Sequence, residues 1–590
     1  MNSASSERTI LQEMIIPNHD FGCDERIYLH YDEGKVFVDG ENNEIHLDKY
    51  GVISSGTFFN GFSLDKWKKN TSLENISIEI EAEGVFQIHI FCAESAECKS
   101  LIVSKKCEIN DHLNIELPAF SDMDGRMIFY KVQALSPAKI TNIYYSTSQK
   151  PNQDVHLGIV ITHFNRVKQL NKAVNRLKHL LLSDEGYKEK ISLAIVDNSR
   201  NCNLVTENNI TVIENENYGG SGGFARGLLH FDESQKATHC LFMDDDASCE
   251  TESIKRTFSF LSFINVPNSA IAGALIAEHQ PNHIFEKGAK FDGRCYPLKH
   301  GLPIDNMWGC IEAEREDIHI NYGGWWYFAF ALKDVKHYPF PFFVKGDDIA
   351  FSLIHNFNLV TLNGVTSFGE DFSHKVSAIS LYLDARNHLI NQSVVRGKSR
   401  YSALKSIWRM FGICVFSYQY NRARGILLAL EDVNKGTRVF KNQLEFRSIE
   451  SIQKLNALNS PSVELSRSPV ELDYGTFDEG RLRKILRVIT LNGYLLPRLF
   501  LIKSKYIKQN QGYCAVFRHV FRYKTILYVH PRTGDAQLAS RNMFLACSLV
   551  SIFLFESIKF LLLSKKKYKI NFNDISTKKF WKKTYLIDID

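Results

Sequence analysis

The chain lacks most of the marks that would place it at once. Its twelve cysteines form no CxxC pair and keep no regular spacing, which argues against a disulfide framework and against a zinc site. No basic-then-apolar leader follows Met1, so reduced thiols in a cytosolic compartment are expected. Formal net charge is only +5, too small to point to nucleic acid as a partner. Hydrophobic residues at 44% and charged residues at 23% describe neither a disordered chain nor a polytopic membrane protein. Familiar nucleotide-binding loops are also missing: no Gly-Lys-Ser/Thr closes a Walker loop, and no glycine run has Rossmann spacing. At 590 residues a single core is too small, and about 3 to 4 domains is the prior.

What is present begins with alternation. From about 26 to 145, short runs at 35–38, 76–81, 85–90, 114–117 and 127–130 alternate apolar and polar residues between Gly, Asn and Asp turns. Period-two alternation of this kind predicts an antiparallel β-sandwich. Phe58, Phe59 and Trp67 stand beside polar groups and fit either the core or a carbohydrate-contacting edge. The polar stretch 148–154, with Pro151 inside it, reads as a linker.

An apolar run at 157–162 follows, then His163-Phe164-Asn165-Arg166 and a helix with Leu170, Val174 and Leu177 on one face. With the next run, ending at Asp197, this makes a βαβ unit. Arg166 and Asp197 then sit at neighbouring strand ends, where an arginine can pair with phosphate and an aspartate can accept from uracil or ribose. A third strand runs into Asn217-Tyr218-Gly219-Gly220-Ser221-Gly222-Gly223. Four glycines in five positions let backbone come close to a ligand, and their amides at the start of a helix can meet phosphate or sugar oxygens.

Leu241-Phe242-Met243-Asp244-Asp245-Asp246 reads as a buried strand that opens into carboxylates. Alternate residues point the same way, so Asp244 and Asp246 can converge on one cation while Asp245 turns toward a sugar or the protein. Carboxylates with one imidazole suit Mg2+ or Mn2+, which in turn suit a diphosphate. Asp347 and Asp348 open an apolar helix containing Ile349, Phe351 and Leu353; they fit either acid–base chemistry or the acidic preference of a helix N-terminus. Of Trp325 and Trp326, one must face outward if they lie on a strand.

Taken together and in this order, the His163-to-Arg166, Val196-to-Ser199, Asn217-to-Gly223 and Asp244-to-Asp246 motifs resemble those of GT-A, family-2 inverting glycosyltransferases. Gly323-Gly324-Trp325-Trp326, Lys345-Gly346-Asp347-Asp348, His374 and Leu383-Asp384-Ala385-Arg386-Asn387-His388 narrow the resemblance to bacterial polymerising galactofuranosyltransferases. The resemblance implies that Asp244 and Asp246 bind a divalent cation, Mn2+ or Mg2+, with His374, for which Asp371 or Glu370 are alternatives. It implies Asp348 as general base and Trp325 and Trp326 at an acceptor subsite, with Asp347 orienting the acceptor. Arg166, Asp197, Asn217, Gly219, Gly220 and Asp245 would hold the UDP-sugar donor.

Beyond about residue 389 the pattern turns helical. The 481–498 segment mixes basic and aliphatic residues at helical spacing, and 543–563 is apolar but broken by Glu556 and Lys559, which favours a partly buried or surface helix over a span. Lysine clusters at 565–569 and 578–583 fit anionic headgroups. The expected architecture is multidomain: an N-terminal β-sandwich over 1–150, a GT-A, Rossmann-like α/β domain over 151–390, and a C-terminal helical, membrane-associated region over 391–590. The expected activity is metal-dependent transfer of galactofuranose from UDP-galactofuranose to a growing, lipid-linked glycan at the cytoplasmic face of the inner membrane. Another donor sugar, rhamnosyl or other hexosyl, is the enzymatic alternative; a non-catalytic glycan-binding protein is the other, and a homo-oligomer is left open.

Overall fold

The computed structural model describes residues 8–17, 23–245, 248–316, 319–369, 377–436, 438–442, 452, 470–471, 479–502, 507–510, 518–529, 536–563 and 572–587. Across them the chain is a mixed α/β protein with two large sheets. The N-terminal runs are strands with antiparallel pairing, joined in one ten-stranded sheet rather than two separate ones. The runs expected at 76–81 and 85–90 form a single strand, Ser77–Ala93. Its first half pairs with Ala138–Thr147 and its second half with Met127–Ala134, so one strand serves both layers. Gly84 sits at the change of partner with φ +134°, and a Cβ there would lie 2.6 Å from that of Ala138.

Phe58, Phe59 and Trp67 are all buried, Trp67 edge-on to Phe260 at 4.9 Å, so these aromatics are core rather than a sugar edge. Phe260 belongs to the following body, and the two bodies share one hydrophobic core. The stretch 148–154 is docked: Asn152 and Gln153 N–H groups donate to the Ser262 carbonyl at 3.0 and 3.1 Å.

The second sheet has seven strands in the order Ile210–Glu214, Ile191–Asp197, Leu157–His163, His239–Asp244, Phe328–Ala331, Ser269–Ala272, Asn358–Val360. The first four are parallel, and every residue of Leu157–His163 is buried, as a strand covered by helices on both faces requires. From Leu157–His163 the chain first steps outward on one side, then returns to place His239–Asp244 on the other. Such a reversal leaves a crevice at the carboxyl ends of the two strands, where open α/β sheets bind ligands.

The C-terminal region holds the expected helices, including Arg400–Phe416, Tyr420–Lys435 and Met543–Leu562, but also a four-stranded sheet that helical periodicity did not announce. Met543–Leu562 is long and apolar enough to cross a membrane. One face nevertheless packs on its neighbours, with Phe553 stacked on Phe411 at 3.9 Å and Glu556 accepting from Asn434 at 2.7 Å. The lysine cluster at 565–569 lies outside the described residues. The cluster at 578–583 is only partly free for headgroups, because Lys578 pairs with Asp232 and Lys582 with Glu233, both at 2.9 Å.

Where the two bodies meet, Lys287 and Glu314 form an ion pair with almost no exposure, and Lys287 Nζ also donates to Ala313 O and Asn363 Oδ1 at 2.8 Å. Removing one partner strands a buried charge, so Lys287→Met is expected to cost about 3–5 kcal/mol. Lys69→Met, which breaks an exposed pair with Glu316, should cost under about 1 kcal/mol. Urea unfolding of both variants checks the contrast, and equal midpoints would refute it.

Candidate active site

The strand ends bring His163, Arg166, Asp197, Asp244 and Asp245 to one edge. Register aligns Thr162 with Asp244 and His163 with Asp197. Asp245 is buried and occupied by protein: one oxygen takes His163 Nδ1 and the Phe164 N–H, each at 3.1 Å, and the other takes Arg166 Nη1 at 3.2 Å. Of the two directions open to Asp245, it has turned toward the protein. His163 Nε2 meets Asn201 Oδ1 at 3.0 Å. Burial opposes charge on His163, but its bonds to Asp245 and Asn201 outweigh burial and hold its pKa above the usual value.

Asp197 folds the loop after its own strand. Its oxygens accept from Ser199 N–H and Oγ at 2.9 Å and from Cys202 N–H at 2.7 Å. Burial resists its ionisation, yet those backbone bonds prevail and keep the carboxyl below its usual range. The glycine stretch is the first turn of helix Gly219–Ser234. Gly219 has φ +70°, and a Cβ there would lie 2.3 Å from Phe343 O, so only glycine fits. Asn217 Oδ1 accepts from the Gly219 N–H at 3.1 Å, and Gly220 stands partly open beside it. Gly223 serves packing rather than a ligand, since a Cβ would meet Thr162 at 2.5 Å.

Asp347 and Asp348 begin helix Asp347–His355, after a loop with positive φ at Phe343, Lys345 and Gly346. Asp347 accepts from Ser221 Oγ at 2.8 Å, which ties the two helix starts together. Burial, then repulsion from Asp347 and Asp244, pushes the Asp348 carboxyl well above the carboxylate range; burial raises Asp347 less. Sequence reading missed Glu286, a buried carboxylate whose Oε1 lacks a hydrogen bond and whose pKa is raised by burial and by Asp348. It also left Ser221, Asn198 and Asn387 without roles; Asn198 donates to Gly219 O at 3.2 Å, and Asn387 to Val344 O and Lys345 O at 3.0 and 2.6 Å.

Trp325 must be corrected. At 4% exposure it packs edge-on to Phe224, Phe242 and Phe351, in a turn where its ring points into the core. Trp326 is the outward member, half-buried, with Nε1 donating to Gly273 O at 3.1 Å. Asp246 and His374 lie outside the described residues, as do Glu370 and Asp371. No group of three metal-ligating side chains is found among the described residues. After burial, the charges of Asp347 and Asp244 both act against ionisation of Asp348.

Residues 11–148 match the family described as Galactofuranosyltransferase 2 N-terminal. The chain is also 23% identical over 376 residues to Galactofuranosyltransferase GlfT2 of Mycolicibacterium smegmatis, covering 57% of each chain. Against Galactofuranosyltransferase GlfT2 of Mycobacterium tuberculosis it is 22% identical over 377 residues, covering 57% of this chain and 58% of that one. The chain resembles the galactofuranosyltransferases. It spans a little over half the length of these GlfT2 relatives. Among solved structures, GalNAc-T7 with UDP, GalNAc and Mn2+ aligns at TM-score 0.31 and 11% identity, covering 42% of this chain and 49% of that one. The mannosyltransferase PcManGT of Pyrobaculum calidifontis aligns at TM-score 0.27 and 12% identity, covering 52% and 82%. Overlaps this low carry no weight beside the GlfT2 similarity.

The raised Asp348 pKa has a consequence for stability. The folded protein holds that proton more tightly than the unfolded chain, so the parent loses stability as pH climbs above the ordinary carboxylate range. Asp348→Asn removes the penalty and should melt above the parent at about pH 8, with a smaller margin at about pH 5. Thermal unfolding at both values tests this, and a margin that shrinks on going to the higher pH would overturn it.

Proposed function

We propose that the chain is an inverting glycosyltransferase that moves galactofuranose from UDP-galactofuranose to a hydroxyl of a growing, lipid-linked glycan. The observation that carries this is Asp348: a carboxyl with raised proton affinity, beside Asp347 and Asp244, near the crevice of a parallel sheet. A general base works best when its pKa lies near the operating pH, and displacement with inversion needs one such carboxylate at the acceptor hydroxyl. Asp347, held in place by Ser221, orients the acceptor, and Trp326 offers it an aromatic face. Gly220, partly open at the start of helix Gly219–Ser234, offers its N–H to the donor's phosphates, while the Gly219 and Ser221 N–H groups are held by Asn217 and Phe343. A divalent cation, Mn2+ or Mg2+, held by Asp244 with Asp246 and His374 as partners, would neutralise the departing diphosphate.

The same reading places the protein as a peripheral enzyme at the cytoplasmic face of the inner membrane. In its support, helix Arg481–Ile489 and the residues after it leave Leu482 72% and Leu499 82% exposed, and Met543–Leu562 leaves Phe544 92% exposed. Arg541 joins the two, donating to carbonyls of Leu496 and Tyr494. Apolar side chains interleaved with Arg481, Arg483, Lys484 and Arg487 suit an anionic bilayer surface.

Two experiments follow. Release of nucleoside diphosphate from a panel of UDP- and dTDP-sugars, with and without Mn2+, should be greatest for UDP-galactofuranose with metal. Asp348→Asn should lower kcat by about 10²–10⁴-fold with donor Kd nearly unchanged. Release from a different donor would favour the rhamnosyl or other hexosyl alternative, and no turnover of any donor would favour a glycan-binding protein. For the membrane, Leu482→Glu with Phe544→Glu should abolish sedimentation with phosphatidylserine vesicles while transfer to a soluble acceptor persists; undiminished vesicle binding would refute the placement of that surface.

A further inference from the structure

The described end of the chain, 572–587, does not lie on the exposed apolar surface. Helix Lys578–Thr584 is seated on the back of helix Gly219–Ser234, the one whose first turn faces the crevice. Trp581 is fully buried in that helix's aromatic core, together with Phe224 and Trp325. Its Nε1 donates to Pro339 O at 2.8 Å, and the Tyr338 N–H donates to Ser576 O at the same distance. Tyr585 stacks on Trp581 at 5.4 Å and its hydroxyl donates to Gly222 O at 2.5 Å. Gly222 itself must be small, because a Cβ would lie 2.3 Å from that of Tyr218 and 3.6 Å from the Trp581 ring. Lys578 and Lys582 anchor the other end of the contact on Asp232 and Glu233.

The tail thus touches both segments that build the candidate site. Gly222 is one residue past Ser221, which bonds Asp347, and Pro339 leads into the 343–346 loop whose Phe343 O receives the Ser221 N–H at 2.9 Å. Resting on the donor reading above, we infer that Trp581 and Tyr585 are positioning residues for the donor site: they hold the Gly219–Gly223 turn against the Asp347 loop from behind, so that donor binding depends on the docked C-terminus. A surface-seeking lysine tail has no use for a buried tryptophan or for a hydroxyl aimed at one main-chain carbonyl. A positioning tail needs both.

The test uses the full-length protein. Tyr585→Phe keeps the ring on Trp581 and removes only the bond to Gly222, and Trp581→Phe keeps an aromatic plug while removing the bond to Pro339. UDP Kd in the presence of Mn2+, and donor KM, should rise about 2- to 10-fold in each, the span of a single lost hydrogen bond, while kcat at saturating donor stays within about twofold. Lys583→Ala, an exposed change on the same helix, should leave both unaltered. A parent that binds UDP while both variants bind it equally well overturns the positioning role alone. A parent that binds no UDP overturns the donor reading and the role with it. Loss of kcat with unchanged KM would equally refute a donor-positioning role, since the effect would then lie at the base.

Discussion

The arrangement hangs on keeping residues 343–346 in a shape that chains avoid. Phe343 and Lys345 have φ of 76° and 68°, and left-handed backbone at a non-glycine residue costs about 1–3 kcal/mol each. Five bonds oppose that strain: Arg386 to Phe342 O at 2.6 Å, Asn387 to Val344 O and Lys345 O, Asn391 to Gly346 O at 2.9 Å, and the Ser221 N–H to Phe343 O. At about 0.5–1.5 kcal/mol net apiece, they match the cost. Because the loop is clamped on both sides, Asp347 and Asp348 start their helix at one place and in one orientation.

Electrostatics follows from that placement. Burial, then the charges of Asp347 and Asp244, raise the Asp348 pKa, while Asp245 and Asp197, equally acidic in sequence, have their oxygens engaged by His163, Arg166 and backbone amides. Carboxylates that look alike in the sequence therefore end with opposite shifts, Asp197 held below its ordinary range and Asp348 pushed above it. Glu286 is a further buried acid, with Oε1 lacking a hydrogen bond, and burial and then the charge of Asp348 favour its protonated form.

Packing separates residues that a linear pattern runs together. The glycine stretch looked like a ligand cradle, and Gly219 does lie where only glycine fits, yet Gly222 and Gly223 are glycine because Tyr218, Trp581 and Thr162 press on the helix. Trp325 looked like a sugar platform and is instead the centre of an aromatic core. The terminal lysines looked solvent- or lipid-facing, but Trp581 between them carries the segment inward.

Alternation, apolar runs and the order of short motifs are local properties, and they suffice for the β-rich N-terminus, the βαβ start of the second sheet, the strand opening into Asp244 and the helix opened by Asp347. Those elements form because side-chain period and turn chemistry act over a few residues. Which distant groups meet is settled by the fold: Ser221 with Asp347, Asn387 with the 343–346 loop, and Tyr585 with Gly222 across 363 positions. No periodicity encodes such pairs, because each exists only once the sheet order and the burial of a shared core have brought the two segments together.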